Sequence, residues 1–413
     1  MAADEETPEE HEARTGVKEM MKRGRIVGRM LMMGIYLCLL AGCWDRKELD
    51  ELAFVMATGF DRMENGELES TMQIALPSKI SSSGQTGGGT DSPSFMNVSA
   101  TAHEAIDTLN KGQKQLSRKI NLGHRRVLII GESLGRDGID QIIDALLRSP
   151  ESRFNSYIAT SYGASAKEIL STSYQMEKIP AIGMNNLMES GFNISVKTDE
   201  FIHNLSTYGQ SPVTPAIRLD KNSSDQPTFV FDKVAMYRDN KLVGFLSGQQ
   251  QKAFQLFRKN TRDLTWIVQF APPKNAFHGT VNMRVTKVST DIRTRLTEGD
   301  PAITITCKIV GKINSNDTEM DLSKPDVLVR LERKYEEDIQ ASMERLISHT
   351  QQEDIRADIL GFGDQIHIEH PYVWKELKTK WDTLYPAVPV KVNIHVRIER
   401  IGRTKGPAQL KKS

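Results

Sequence analysis

The stretch Val388-Pro389-Val390-Lys391-Val392-Asn393-Ile394-His395-Val396-Arg397-Ile398-Glu399 decides the fold class of the last third of the chain. Aliphatic residues alternate strictly with other types. Successive side chains of a strand point to opposite faces, so the pattern predicts one dry face and one wet face. Residues 280–288 and 303–313 read the same way. Cys307 falls in register with Ile303, Ile305 and Ile309, which predicts a core-facing, inert thiol. Between Pro325 and Trp381 two or three helices are expected. Val327, Leu328, Leu331, Tyr335, Ile339, Met343 and Leu346 form an apolar stripe at helical spacing that should pack on the sheet. A break follows at Gly361-Phe362-Gly363, and Pro371 sits where a helix can start without losing an N–H bond.

Upstream, the periods alternate between two and 3.6. Residues 53–60 and 67–75 read as strands joined by Glu64-Asn65-Gly66, whose Asn-Gly pair marks a hairpin. Residues 44–52 look like a charged helix, and 81–94 like a Ser/Gly/Thr-rich loop. Helices are expected over 102–116, 139–147 and 164–170, with strands at 95–100, 126–130 and 156–160. Residues 179–206 read as mostly helical, with a joint at Ser211-Pro212-Val213-Thr214-Pro215. Strands at 229–237 and 242–246 flank a turn at Asp239-Asn240, and a helix over 249–258 leads to Pro272-Pro273. The expected class is α+β (mixed α/β), a three-domain ectodomain. Its divisions are a leader and signal over 1–42, an N-terminal α/β domain over 44–190, a middle domain over 191–275 and a C-terminal domain over 276–404. The last should be a mostly antiparallel sheet with long helices on one face.

The totals exclude several classes. The chain has 413 residues, 38% hydrophobic and 26% charged, which describes an ordinary globular body. A net charge of +1 lacks the basic excess of a nucleic-acid binder. Three cysteines, one of them in the leader, leave no disulfide framework.

The beginning of the chain has the parts of an export signal. Lys22, Arg23, Arg25 and Arg29 precede an apolar run from Met30 to Gly42. As a helix, about 13 residues would span roughly 20 Å, short of the ~30 Å hydrocarbon core. Leu40-Ala41-Gly42-Cys43 resembles a bacterial lipobox. Such a signal implies a diacylglycerol on the Cys43 thiol, cleavage just before Cys43 and, as an option, an N-acyl chain on the freed amine. Two acyl chains suffice for stable anchoring. No other cofactor and no metal is expected. Trp44, Asp45 and Arg46 then stand next to the bilayer as candidate membrane or partner contacts. Residues 1–19 depart from the pattern: they are acidic and aperiodic, so the expected translation start is Met20 or Met21.

Other chemistry is weighed against plain structure. Gly131-Glu132-Ser133-Leu134-Gly135 matches Gly-x-Ser-x-Gly between a strand and a helix, the setting of a hydrolase nucleophile. The ordinary reading is a turn in which the glycines bend the chain and Ser133 or Asp137 caps the helix. His367-Ile368-Glu369-His370 lacks the HExxH spacing and a third ligand, so surface histidines are expected. Gly87-Gly88-Gly89 has neither a Rossmann pattern nor a Walker lysine. Trp374 and Trp381, seven apart, would share one helix face, as core or as a partner-binding stripe.

Four blocks together resemble one family. Cys43-Trp44-Asp45-Arg46-Lys47-Glu48-Leu49 is similar to the mature start of the Ger(x)C spore germination lipoproteins. Asn121-Leu122-Gly123-His124-Arg125-Arg126-Val127-Leu128-Ile129-Ile130-Gly131-Glu132, Lys241-Leu242-Val243-Gly244-Phe245-Leu246, and Asp358-Ile359-Leu360-Gly361-Phe362-Gly363 through Trp374 and Trp381 follow in the family's order. The resemblance implies three α/β domains, no catalytic activity and no nucleic-acid partner. It implies the C subunit of a nutrient germinant receptor, held by lipid to the outer face of the cytoplasmic membrane, in spores the inner membrane. The partners it implies are a polytopic A subunit and a transporter-like B subunit. The alternative is a solute-binding lipoprotein that captures the nutrient itself, although no internal repeat suggests two matching lobes.

Overall fold

The structure, a computed structural model, describes residues 20–26, 28–33, 48–77, 94–149, 151–259, 264–270, 279–297 and 299–400. Cys43, its neighbours Leu40, Ala41, Gly42, Trp44, Asp45 and Arg46, the Gly87-Gly88-Gly89 run and the Pro272-Pro273 boundary lie outside these residues. The chain divides after Leu52 into two units. In the first, residues 20–26 and 28–33 are helical, and Met30, Leu31, Met32 and Met33 are exposed. Of the predicted charged helix over 44–52, residues 48–52 are described, and they hold a 3-10 turn, Leu49–Glu51. No helix among the described residues is long and apolar enough to cross a membrane.

The second unit, Ala53–Ser413, carries two sheets. The first has nine strands: β1 (Leu52–Arg62), β2 (Leu68–Ala75), β3 (Phe95–Ala102), β4 (Lys119–Asn121), β5 (Val127–Ile130), β6 (Tyr157–Ser161), β7 (Val213–Lys221), β8 (Pro227–Arg238) and β9 (Lys241–Ser247). Their order is β3-β2-β1-β5-β6-β7-β8-β9, with β4 paired to β1. The centre, β1-β5-β6-β7, is parallel, and both wings are antiparallel. The reason is legible in Val127-Leu128-Ile129-Ile130, an unbroken apolar run. All four side chains are fully buried, which requires cover on both faces, as parallel strands have. Leu128 and Ile130 join one core, and Val127 and Ile129 another on the opposite face.

The wings are hairpins where the turn residues predicted them. Gly66 (φ +82°) closes β1–β2, and Asp239 and Asn240, both at positive φ, close β8–β9. The segment 211–215 is not a joint: β7 begins at Val213 and pairs with both β6 and β8. The sheet therefore runs straight through residue 190, where the sequence predicted a boundary.

The second sheet is β10 (Thr265–Phe270), β11 (Gly279–Thr297), β12 (Asp300–Asn316) and β13 (Val390–Arg400), in that order. β10–β11 and β11–β12 are antiparallel, while β12–β13 is parallel. Val392, Ile394, Val396 and Ile398 are buried as the alternation demands, beside Ile303, Ile305, Cys307 and Ile309. The Cys307 thiol is free and fully buried, and burial pushes its pKa up, as an inert thiol requires.

One long helix, Pro325–Thr350, covers the dry face with Val327, Leu331, Tyr335, Ile339, Met343 and Leu346. It also closes the β13 edge. Glu336 accepts the Val396 N–H at 2.9 Å and Glu332 the Ile398 N–H at 2.8 Å, so those edge donors are satisfied by side chains rather than by another strand. Three short helices follow, Phe362–Glu369, Pro371–Leu377 and Trp381–Leu384, with Pro371 at the first helical position as predicted.

Candidate functional site

Two buried aspartates, neither singled out by the sequence, organise the second and fourth blocks. Asp61, on β1, accepts the N–H groups of Ala166 (2.8 Å) and Lys167 (3.0 Å), the first residues of the helix Ala166–Ser171. A negative charge there meets unpaired helix donors and the positive end of the helix dipole. Burial nonetheless raises its pKa, and the two backbone bonds pull it back only partly. The same carboxylate explains Gly131: a Cβ at that position would lie 2.1 Å from Asp61 Oδ1.

Ser133 is exposed, and its hydroxyl donates to the Arg62 carbonyl at 3.2 Å. Neither Ser133 nor Asp137 caps the expected helix, observed as Asp140–Arg148, whose N-cap is Ile139; both residues lie instead within a short helix, Glu132–Asp137, capped by Gly131. Asp137 instead pairs with Arg62 at 2.7 Å. Further back in the second block, Arg125 is buried and donates to Ser152 Oγ at 2.8 Å. Burial draws its guanidinium down to about 10.

Asp358 is the fourth block's centre. It accepts from Phe362 N (3.0 Å), Gly363 N (2.8 Å) and Trp381 Nε1 (3.0 Å), so it caps one helix and ties it to another. Burial pushes its carboxyl up to about 6, while the bonds from Gly363, Phe362 and Trp381 hold it lower than burial alone would. The Asp358 carbonyl accepts Ser211 N at 2.8 Å, and the Gly209 carbonyl accepts Asp364 N at 3.2 Å. Gly209 and Gly363 meet backbone to backbone: a Cβ on Gly363 would stand 2.5 Å from Gly209 Cα. Glycine is required at both positions by this approach. The result is a latch between the loop before β7 and the last helices.

Trp374 and Trp381 are both buried, with ring centroids 5.5 Å apart in an edge-to-face pair. They occupy two separate helices rather than one face of a single helix. His367 stacks on Trp374, and Glu369 holds Thr294. No group of three or more His, Cys, Asp or Glu among the described residues could hold a metal. Beside the latch lies a cleft of about 550 Å³, walled in part by Tyr208, Arg238, Asp239, Lys378, Trp381 and Asp382.

Asp358 escaped the sequence reading because one aspartate before a glycine-rich break looks like any loop residue. The available signal was its place four residues before the first helical N–H, Phe362.

What this geometry defines is a two-sheet scaffold in which the loop before β7 is tied to the last helices by backbone bonds, Ser211 N to the Asp358 carbonyl and Asp364 N to the Gly209 carbonyl, while the buried carboxylates cap helices. The chain belongs to the Ger(x)C family of spore germination proteins. The family described as spore germination protein N-terminal domain matches residues 45–219, and that described as spore germination B3/GerAC like, C-terminal, matches 232–402. The Bacillus subtilis (strain 168) protein YfkR is 28% identical over 374 residues, covering 88% of this chain and 94% of its own. Spore germination protein KC of the same strain is 24% identical over 399 residues, covering 91% and 96%. The crystal structure of the GerBC protein shares the fold, with a TM-score of 0.53 at 18% identity over 86% of this chain and 100% of that one. The matched segments meet within the β7–β8 hairpin, so β8 and β9 of the second complete the sheet of the first.

Proposed function

We propose that this chain is the lipid-anchored, non-catalytic C subunit of a nutrient germinant receptor, working with the receptor's A and B membrane subunits at the outer face of the membrane. Family membership supports a role in spore germination. The observation that carries the finer reading is positional. The family match opens at residue 45, two residues after a cysteine preceded by Leu40-Ala41-Gly42 and a basic-then-apolar leader. A diacylglyceryl thioether at Cys43 would hold a body with no membrane-crossing helix among its described residues against the bilayer. The buried carboxylates support a structural part: each is spent on helix N–H groups, and Ser133 has only a carbonyl as partner.

Cys43→Ala tests this in spores. The variant is expected to remain as uncleaved precursor or leave the membrane fraction, and nutrient-triggered germination should fall to the level of a deletion. Maturation, fractionation and germination like wild type would contradict it.

A second reading, direct nutrient capture, is favoured by the cleft beside the latch. It sets Arg238 and Lys378 near Asp239 and Asp382, charges of both signs such as a zwitterion needs. Micromolar binding of a germinant in calorimetry, abolished by Lys378→Glu, would establish it; absence of heat across candidate germinants would dismiss it.

A further inference from the structure

The second sheet has a face that the long helix does not cover. Over 287–295 of β11, 302–310 of β12 and 391–399 of β13, the ladder sets the wet residues side by side: Lys287 across from Val310, Arg293 from Thr304, and Thr304 from Lys391. Six exposed cations lie on this face, Lys287, Arg293, Arg295, Lys308, Lys391 and Arg397, against the carboxylates Asp291 and Glu399. With six cations against two carboxylates the strip is strongly positive, while the whole chain is only +1. Between the cations lie Ser289, Thr304, Thr306 and Asn393, together with Ala302, Val310 and the exposed His395. At the far end, Arg293, Arg295 and Lys391 line a depression of about 610 Å³.

We propose that this face lies on anionic phospholipid headgroups and orients the anchored body on the bilayer. The occupant follows from what the face has and lacks. A protein partner would need a large aromatic or aliphatic anchor; the strip's aliphatic side chains, Ala302 and Val310, are small and half-buried, and its depression is rimmed by the cations Arg293, Arg295 and Lys391. Single-stranded nucleic acid would need aromatic stacking platforms, also missing. An extended, multiply basic plane of roughly 27 Å along the strands matches a planar array of negative headgroups. The proposal rests on the anchored reading in one respect: an acylated Cys43, nine residues before Leu52, is a tether of at most roughly 30 Å, which lets the face come within the Debye length of about 8–10 Å over which headgroup attraction acts. The lipid supplies attachment, and the basic face supplies orientation.

The test uses the chain from position 43 onward carrying Cys43→Ala, so that neither an acyl chain nor the basic-then-apolar leader contributes, and vesicles of phosphatidylcholine with or without about one-third phosphatidylglycerol. Co-sedimentation should be about tenfold stronger on the anionic vesicles and should fall several-fold between about 50 and about 200 mM salt. Arg293→Glu, Arg295→Glu, Lys308→Glu and Lys391→Glu together should reduce binding to that on neutral vesicles. The same four sites changed to Gln should give an intermediate value. Circular dichroism confirms folding, and the wild-type salt dependence stands whether or not the swapped chain folds. Equal binding to both vesicles, or anionic binding unchanged within about twofold by the swaps, would overturn the proposal. So would a swapped chain that still binds vesicles but no longer co-purifies with receptor membrane subunits, which would make the face a protein interface. None of these results depends on acylation, so failure here leaves the reading of Cys43 standing, and failure there leaves this face to be judged on vesicles alone.

Discussion

The two sheets solve the same problem differently. The first buries both faces of its parallel centre, so β5 carries Val127-Leu128-Ile129-Ile130 with no polar break. The second buries one face beneath a 26-residue helix and leaves the other to water, so β13 alternates. A sheet closed on both faces leaves no open face to a partner, whereas one with a free face has a surface to use. The family resemblance covers both, but it is the second sheet whose exterior has a chemical character of its own.

The sharpest test of that contrast is a carboxylate placed in each sheet. Ile129→Asp buries an unpaired charge in the first core and is expected to cost more than about 4 kcal/mol. Thr304→Asp, on the open face between Arg293 and Lys391, should change stability by no more than about 0.5 kcal/mol. Urea unfolding of both variants measures the difference, and similar losses would erase the distinction between the sheets.

The latch gives the next largest effect, and it depends on pH. The Asp358 carboxyl is raised to about 6 in the folded chain, above the unfolded range, so its protonated form favours folding. Its contribution is fully present below about pH 4 and declines as pH rises to about 6, by about 3 kcal/mol in all. The stability difference between wild type and Asp358→Asn should narrow over that window and stay level above it. A difference independent of pH would show that Asp358 ionises as freely as an exposed aspartate.

A smaller effect tests how the second sheet guards its edge. Glu336→Ala removes the acceptor of the Val396 N–H and should cost about 1 kcal/mol. It should also speed hydrogen exchange at Val396 without affecting Ile129. Unchanged exchange at Val396 would mean that the carboxylate is not closing the edge.

Much of this was legible in sequence, and unevenly. Three strands of the second sheet, the burial of Cys307 and the turns at Asn65-Gly66 and Asp239-Asn240 followed from period and turn chemistry, both local, while β10 (Thr265–Phe270) was not foreseen. The entry of β7–β9 into the first sheet was not legible, because strand partners are set by packing between distant segments. The parallel β12–β13 pair escaped for the same reason. Trp374 and Trp381 shared a face by arithmetic, but the chain breaks between them. The lipobox-like Leu40-Ala41-Gly42-Cys43 was the plainest site signal, and it lies outside the described residues. Asp61 and Asp358 gave almost none, because their significance lies in helix N–H groups, which Asp61 meets only after the chain has travelled 105 residues to Ala166.

The central claim is that a lipidated cysteine tethers this scaffold. Mass spectrometry of the N-terminal peptide of the protein isolated from spore membranes tests it most directly. The account predicts a chain beginning at Cys43 with a diacylglyceryl thioether on its sulfur. A peptide continuous through Gly42-Cys43 with a bare thiol, recovered from functional protein in the membrane, would contradict it.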